Sequence, residues 1–201
     1  MTESHTGGRL VDVAWRPPAI ETERLLLRGR EPEDAEAIFR YASDPEVTPY
    51  MAWEPSHSLE DVWDFLDGLT AHNYEQEELD YAIALRSTPQ LVIGGVGVTW
   101  HPRKHRVMEL GYVLDKAHWG QGMMPEAASA LIEYAFRTTP VERIYAPIFA
   151  GNAKARRAAE KIGLTFEGVL RSSVEFRGER RDEAIYAILR GESELSGRSP
   201  R

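Results

Sequence analysis

The 201-residue chain contains no cysteine. That excludes disulfides, thiolate zinc sites, iron–sulfur clusters and a cysteine nucleophile. It also fits a reducing compartment, so a cytoplasmic location is expected. Long apolar runs are missing as well. The longest, Leu91 to Val98, has eight residues, against the roughly 20 that a membrane-crossing helix needs. Residues 1–20 hold no apolar stretch of the secretory type. Positive charge is in deficit, with 24 basic against 32 acidic side chains and a net charge of −8. A general nucleic-acid binder presents a basic surface instead. Neither nucleic acid nor a membrane is therefore expected as a partner. Hydrophobic residues make up 42% of the chain, enough for a packed core, which excludes wholesale disorder.

The charge is uneven. Residues 54–80 carry nine carboxylates (Glu54, Glu60, Asp61, Asp64, Asp67, Glu75, Glu77, Glu78 and Asp80) and no Lys or Arg. The rest of the chain sums to +1. Residues 1–19 and 192–201 are polar, aperiodic stretches with balanced charge, expected as flexible tails around a single domain at 20–191.

The core alternates in type. Thr22–Arg28 reads as a strand. Pro32–Ala42 has helical spacing of Ala35, Ile38, Phe39 and Ala42, with a proline suited to the first turn. Ser58–Tyr74 reads as a helix capped by Ser58, with Asp61 three residues on. Three strands follow, Asp80–Arg86, Leu91–Trp100 and Val107–Asp115, separated by polar connections with Pro89 and Pro102, which suggests antiparallel hairpins. Then come helix Pro125–Phe136, strand Val141–Ile148, helix Asn152–Ile162 closed by Gly163, and a final strand pair, Leu164–Arg171 and Glu183–Leu189. A helical crossover from Val107–Asp115 to Val141–Ile148 makes those two strands parallel. The expectation is a mixed α/β (α+β) fold with about seven mostly antiparallel strands and four main helices.

The most informative segment runs from Glu109 to Phe136. A strand enters a loop with Gly120 and Gly122, and the loop enters a helix with Pro125 in its first turn. Glycines before a helix start let the backbone approach a ligand, and free N–H groups there suit an anion. The loop is neither a Walker A loop nor G-x-G-x-x-G. A tight turn with no ligand is the other reading of a bare Gly-x-Gly. A second anion candidate is the stretch 152–161, where Lys154, Arg156, Arg157 and Lys161 face Glu160 alone. Its plainer reading is a solvated helix face.

Trp119, Gly120, Gln121, Gly122, Met123 and Met124 resemble the acetyl-coenzyme A loop Gln/Arg-x-x-Gly-x-Gly/Ala of the GNAT N-acetyltransferases. The Trp-Gly-x-Gly form is similar to the RimJ/RimL-like branch. Three further segments resemble that branch in the right order: ETERLLLRGREPEDAEAIFRYASDPEV, GNAKARRAAEKIGLTFEGVLR and FRGERRDEAIYAIL. The resemblance covers about residues 20–190. It implies a sheet splayed between two parallel central strands, with acetyl-CoA in the opening and no metal. On this resemblance the backbone of Tyr112, Val113 and Leu114 pairs with the pantetheine arm, and Asn152 hydrogen-bonds it. Arg156, Arg157 or Lys154 meets the phosphates. Two family positions differ: the serine three residues after the asparagine is Ala155, and the tyrosine that protonates the leaving thiolate in many members is Ala159.

Acetyl transfer to an amine needs a base for the ammonium proton. Glu109 is the candidate, at a position where relatives place an acid; a sheet-surface carboxylate or salt-bridge partner is the plainer reading. The resemblance also implies that a backbone N–H near Val113 polarises the acetyl carbonyl. Ser172 and Ser173 follow a strand on the substrate side in relatives, and Ser172 is the candidate for the missing acid. His118 beside the glycine loop is a further contact candidate, whereas His101 and His105 read as solvated loop residues. Tyr186 reads as structural, and Trp53, Trp63 and Trp100 as core or pocket wall. The expected function is direct acetyl transfer to a primary amine, foremost the N-terminal α-amine of a ribosomal protein. A small amine such as a polyamine or aminoglycoside, and a non-catalytic acyl-coenzyme-binding module, are the alternatives. The acidic 54–80 segment is expected to attract a cationic acceptor, with a solubilising face as the plainer reading. Monomer and homodimer both fit.

Overall fold

The computed structural model describes residues 17–193 except 52 and 77, with the backbone alone for 69–76. Most of the two expected tails lies outside the described residues. At their inner ends the chain is held: Tyr81 Oη donates to the Pro18 carbonyl at 3.2 Å, and Glu192 Oε2 accepts from Leu189 N at 2.9 Å.

The strands are β1 (Ile20–Glu21), β2 (Leu25–Arg28), β3 (Leu79–Leu85), β4 (Thr88–Trp100), β5 (Val107–Leu114), β6 (Arg143–Phe149), β7 (Thr165–Phe176) and β8 (Glu179–Leu189). The helices are α1 (Ala35–Ala42), α2 (Leu59–Gln76), α3 (Met123–Thr138) and α4 (Ala153–Ile162). One sheet runs in the order β1-β2-β3-β4-β5-β6-β8-β7. Every neighbouring pair is antiparallel except β5 and β6. The mixed GNAT-type architecture thus appears as expected, with eight strands where about seven were read.

The eighth strand comes from the first segment. Thr22 N donates to Leu25 O at 2.9 Å, so the expected Thr22–Arg28 strand begins with a turn and shortens to β2, while the two residues before it form the extra strand β1. Pro89 lies within β4, and the hairpin turn falls at Arg86 and Ser87. Ser172 and Ser173 sit inside β7, not after a strand. There the pairing with β8 breaks between Leu170 and Val174, and Ser172 adopts φ 51°. The Ser58 cap is present: Asp61 N donates to Ser58 Oγ at 3.2 Å and Ser58 N to Asp61 Oδ2 at 3.1 Å.

Both faces of the central sheet are covered, which explains the continuous apolar runs of β3 and β4. On one face α3 buries Ala127, Ala128, Leu131, Ile132 and Ala135 against Tyr81, Ile83, Ile93, Met108, Leu110 and Ile144. On the other, α1 and α2 bury Ile38, Tyr41, Val62 and Leu66 against Ala82, Ala84, Val92 and Val113. Strand alternation therefore sends Glu109, Gly111 and Val113 to the α1/α2 face, and Leu110, Tyr112 and Leu114 to the α3/α4 face.

The parallel contact of β5 and β6 is brief. It includes Val107↔Arg143, Met108↔Ile144 and Glu109↔Tyr145, and then stops. From Leu110 to Leu114 β5 keeps β4 on one side only, while β6 continues beside β8. The sheet opens there into a V, and the two functional cavities meet at it.

Candidate active site

The first cavity is a cleft of about 820 Å³ that reaches from the V along the glycine loop and α4. Tyr112, Val113, Leu114, Trp119, Gly120, Gly122, Met123, Met124 and Asn152 line it. Gly120 and Gly122 both take φ 76°, a left-handed conformation that glycine adopts without the Cβ penalty of other residues. Gly122 precedes α3, whose first N–H groups have no partner within the helix. Pro125 occupies the third helical position, where a missing N–H costs nothing.

Other elements hold this loop in place. Arg24, within the β1–β2 turn, donates from Nη1 to Gln121 O at 2.9 Å. Its Nε meets Glu126 Oε2 at 2.7 Å, and Thr22 Oγ1 donates to Glu126 Oε1 at 2.6 Å. Burial acts to raise the Glu126 carboxyl, and these donors outweigh it, so the group sits below its usual range. Asp115 caps the short turn at Lys116–His118 by accepting from Ala117 N at 2.9 Å, and Arg40 of α1 binds its other oxygen at 2.6 Å. Trp119 Nε1 donates to Leu114 O at 2.8 Å, so of the three strand residues expected to offer free backbone, Leu114 already has its carbonyl engaged.

The cations of α4 divide by face. Lys154, Arg157 and Lys161 recur at helical spacing and line the cleft. Lys154 Nζ stands 4.0 Å from the Trp119 ring centre. Arg156 turns the other way, with Nε donating to Tyr186 Oη at 3.1 Å and Nη1 to Ala150 O at 3.3 Å. The structure therefore keeps Arg157 in the cleft and removes Arg156 from it. Gln121 also leaves the cleft lining, its side chain donating to Ala117 O at 3.0 Å. His118 does line the cleft. Tyr186 is fully buried and also donates to Glu160 Oε1 at 3.2 Å, the structural role expected of it.

The second cavity, about 560 Å³, lies on the α1/α2 face. Gly95, Gly97 and Gly111 form part of its floor, and Trp53, Phe65 and Tyr41 stand in its walls. Tyr112 and Val113 line both cavities, so the two adjoin at β5. Arg30 and Asp80 form an ion pair in the second cavity. Burial pulls the Arg30 guanidinium below its usual value.

Glu109 occupies the apex of the V, in the last registered pair of the parallel strands. Tyr145 Oη donates to Glu109 Oε2 at 2.7 Å, and His101 Nδ1 lies 4.0 Å from the same oxygen. Burial, the hydrogen bond and the carboxylate together push the Tyr145 phenol up. Ser172, like Glu109, lines neither cavity, but unlike Glu109 it does not stand at the apex of the V. Its N–H donates to Asp182 Oδ1 at 2.8 Å, while Ser173 Oγ donates to Glu183 Oε2 at 2.7 Å. The bulge in β7 thus keeps both serines away from the V. Ala159 is fully buried.

Two residues escaped the sequence reading. The side chain of Tyr112 projects at the junction, its hydroxyl donating to Ala155 O at 3.0 Å, whereas only its backbone had been singled out. Arg177, at the β7–β8 turn, donates to Thr48 O at 3.4 Å and Trp53 O at 3.3 Å and pairs with Glu54 at 3.3 Å. It ties the hairpin to the loop that walls both cavities. No local pattern announces a contact across that much chain.

This arrangement fits a nucleotide-bearing thioester: a backbone anion cradle, a stripe of three cations and a strand edge left open by the splay. The chain matches the family described as acetyltransferase (GNAT) domain over residues 24–165. The protein belongs to the GNAT acetyltransferases. It is a GNAT-family N-acetyltransferase. It is 35% identical over 173 residues to the uncharacterized N-acetyltransferase YoaA of Bacillus subtilis, covering 86% of this chain and 97% of that one. It is 25% identical over 174 residues to the [ribosomal protein uS5]-alanine N-acetyltransferase of Escherichia coli, covering 84% and 89%. The structure of RimL, a ribosomal L7/L12 α-N-protein acetyltransferase in complex with coenzyme A, shares the fold at a TM-score of 0.75 and 19% identity, with 86% and 98% covered. Among the described residues no helix is long and apolar enough to cross a membrane.

Proposed function

We propose that this GNAT acetyltransferase carries the acetyl group directly to a primary amine, foremost the α-amine at a protein N-terminus, and works in the cytoplasm. The observation that carries this reading is the junction at Tyr112 and Val113. There a cationic cleft and a second, mostly apolar cavity adjoin across one strand. A donor in the first and an acceptor in the second would meet without a covalent relay, and the absence of cysteine suits that directness.

Backbone groups of 120–124, with Lys154, Arg157 and Lys161, would hold the diphosphate and phosphate of acetyl-CoA, and Asn152 would hold its arm. Bound there, acetyl-CoA supplies a thioester carbonyl. Glu109 accepts the proton of the incoming ammonium, directly or through water, and Tyr145 holds its carboxylate in place. The N–H near Val113 donates to the carbonyl oxygen as the amine nitrogen bonds to the acetyl carbon. Tyr112 Oη gives its proton to the sulfur as the carbon–sulfur bond breaks, and the second proton lost from the nitrogen returns through water to restore the phenol. Burial keeps that phenol protonated until then. Ser172 is not part of this scheme.

The relatives named for ribosomal-protein acetylation favour the N-terminal acceptor. The second cavity favours a small amine as the other reading, because its 560 Å³ lies within the range of roughly 300–1,000 Å³ typical of small-molecule sites. A panel of peptides with free N-termini and of small amines, followed by thiol release, separates the two. Turnover confined to peptides supports the first reading. Turnover confined to small amines replaces it with the second.

A further inference from the structure

The central strands β4 and β5 carry four glycines, Gly94, Gly95, Gly97 and Gly111. Three are explained by protein atoms beside them. A Cβ at Gly94 would collide with the Val113 carbonyl oxygen, and one at Gly95 with the Arg30 guanidinium. A Cβ at Gly97 would stand 2.7 Å from Asp80 Oδ1. Those glycines make room for a close strand approach and for the Arg30–Asp80 pair. Gly111 differs. Among the described residues, its chain neighbours aside, no atom lies within 4 Å of a Cβ built there; its φ is not positive and it is exposed. A strand glycine of this kind costs stability and packs nothing. The protein itself gives no reason for it.

The location gives one. Asp80, Gly97 and Gly111 are successive cross-strand partners on β3, β4 and β5. They form one row across the floor of the second cavity. Two strand spacings, about 10 Å, separate its ends. Gly111 is the end nearest the V, two residues past Glu109 and one before Tyr112. Gly111 thus borders the junction at Tyr112 and Val113, where an acceptor in this cavity would meet the coenzyme cleft.

We infer that Gly111 determines which amines are acetylated: the open space above it holds the carbon that bears the reacting nitrogen. The acceptor class is then a primary amine whose amine-bearing carbon is unbranched or carries no more than a methyl group. This inference rests on the acetyl-transfer reading and deepens it.

The test compares Gly111→Ala with the parent protein. Acceptors are otherwise identical peptides beginning with Gly, Ala or Val, and an alkyl diamine with and without a methyl on the amine-bearing carbon. The parent should prefer unbranched and methyl-bearing acceptors over the Val peptide. The variant should lose about tenfold more kcat/KM for methyl-bearing than for unbranched acceptors. Its acetyl-CoA affinity should be unchanged and its Tm no lower, because the added methyl meets no protein atom. Gly97→Ala should instead lower Tm, since its methyl meets Asp80. Equal losses for all acceptors, no loss at all, or a fall in Tm with Gly111→Ala would overturn the inference while leaving acetyl transfer standing. Absence of turnover by the parent with every amine would overturn both.

Discussion

Tyr145 donates a 2.7 Å hydrogen bond to Glu109 at the last residue pair shared by the two parallel strands. One residue further on, the strands part. The carboxylate is therefore anchored where the sheet opens, on the face where the second cavity lies. It stays half-exposed there, so water can reach it. That combination suits a base that relays a proton.

Glu109→Gln keeps the size and the hydrogen bond from Tyr145 but cannot take a proton. It should lower kcat by about 10²–10⁴ at neutral pH. Acetyl-CoA affinity should hold, because Glu109 does not line the coenzyme cleft. Thiol release with saturating acetyl-CoA, paired with calorimetric titration of coenzyme A, reads both quantities. Full activity in the variant would move the base elsewhere. Tyr145→Phe removes only the anchor and should cost less than Glu109→Gln.

The two arginines that adjoin in sequence should separate in effect. Arg157→Ala should weaken coenzyme A binding by about 10–100-fold, the scale of one charge-assisted hydrogen bond. The loss should shrink as salt screens the contact. Arg156→Ala should leave coenzyme affinity alone and lower Tm, because it strips the buried Tyr186 hydroxyl and the Ala150 carbonyl of a donor. A drop in coenzyme affinity with Arg156→Ala would contradict the division of the helix into two faces.

That division marks a limit of what sequence reveals here. The glycine loop, the parallel crossover and the Gly163 end of α4 were all legible, because each is a local pattern with a local cause. Gly163 closes that helix at φ 94° as expected, whereas the Asn152 side chain, read only as a coenzyme contact, caps it by accepting from Ala155 N at 3.1 Å. Arg156 and Arg157 look alike in one dimension, and only the Arg156 hydrogen bonds to Tyr186 and the Ala150 carbonyl tell them apart. The acidic stretch also needs the fold to be read. Among the described residues Glu54 pairs with Arg177 and Asp80 with Arg30, while Asp61 accepts from backbone N–H groups of residues 57 and 58 and keeps its charge. Ser172 was misplaced because nothing in its sequence signals a bulge, and the bulge decides which way the strand points.

Tyr112→Phe should fold normally, since only the bond to the Ala155 carbonyl is lost. If its hydroxyl protonates the thiolate, kcat should fall with KM for acetyl-CoA unchanged. The effect should be larger for a donor whose leaving thiol is more basic, because that thiolate needs the proton more. Equal turnover of parent and variant across thioesters of differing thiol pKa would assign the proton to water.

Acid should release the glycine loop from its anchor. The Glu126 carboxyl is held below its unfolded value by Thr22 and Arg24, so its contribution follows the rule for a depressed acid. It is complete above the unfolded pKa of about 4.3. It disappears as pH falls through the lower folded value, because the folded protein must then take up the proton it had resisted. Asp115 shifts in the same direction for a related reason: its donors, Ala117 N and Arg40, outweigh a burial effect that alone would raise it. Tm should therefore be flat from neutral pH to about 5 and decline below about 4. Glu126→Gln should melt below the parent at pH 7, and the gap should close as pH falls through that window. Scanning fluorimetry across the range measures both curves. A gap that stays constant with pH would show that the carboxylate's charge does not hold the loop. The neutral Gln would then be weaker than Glu through shape alone.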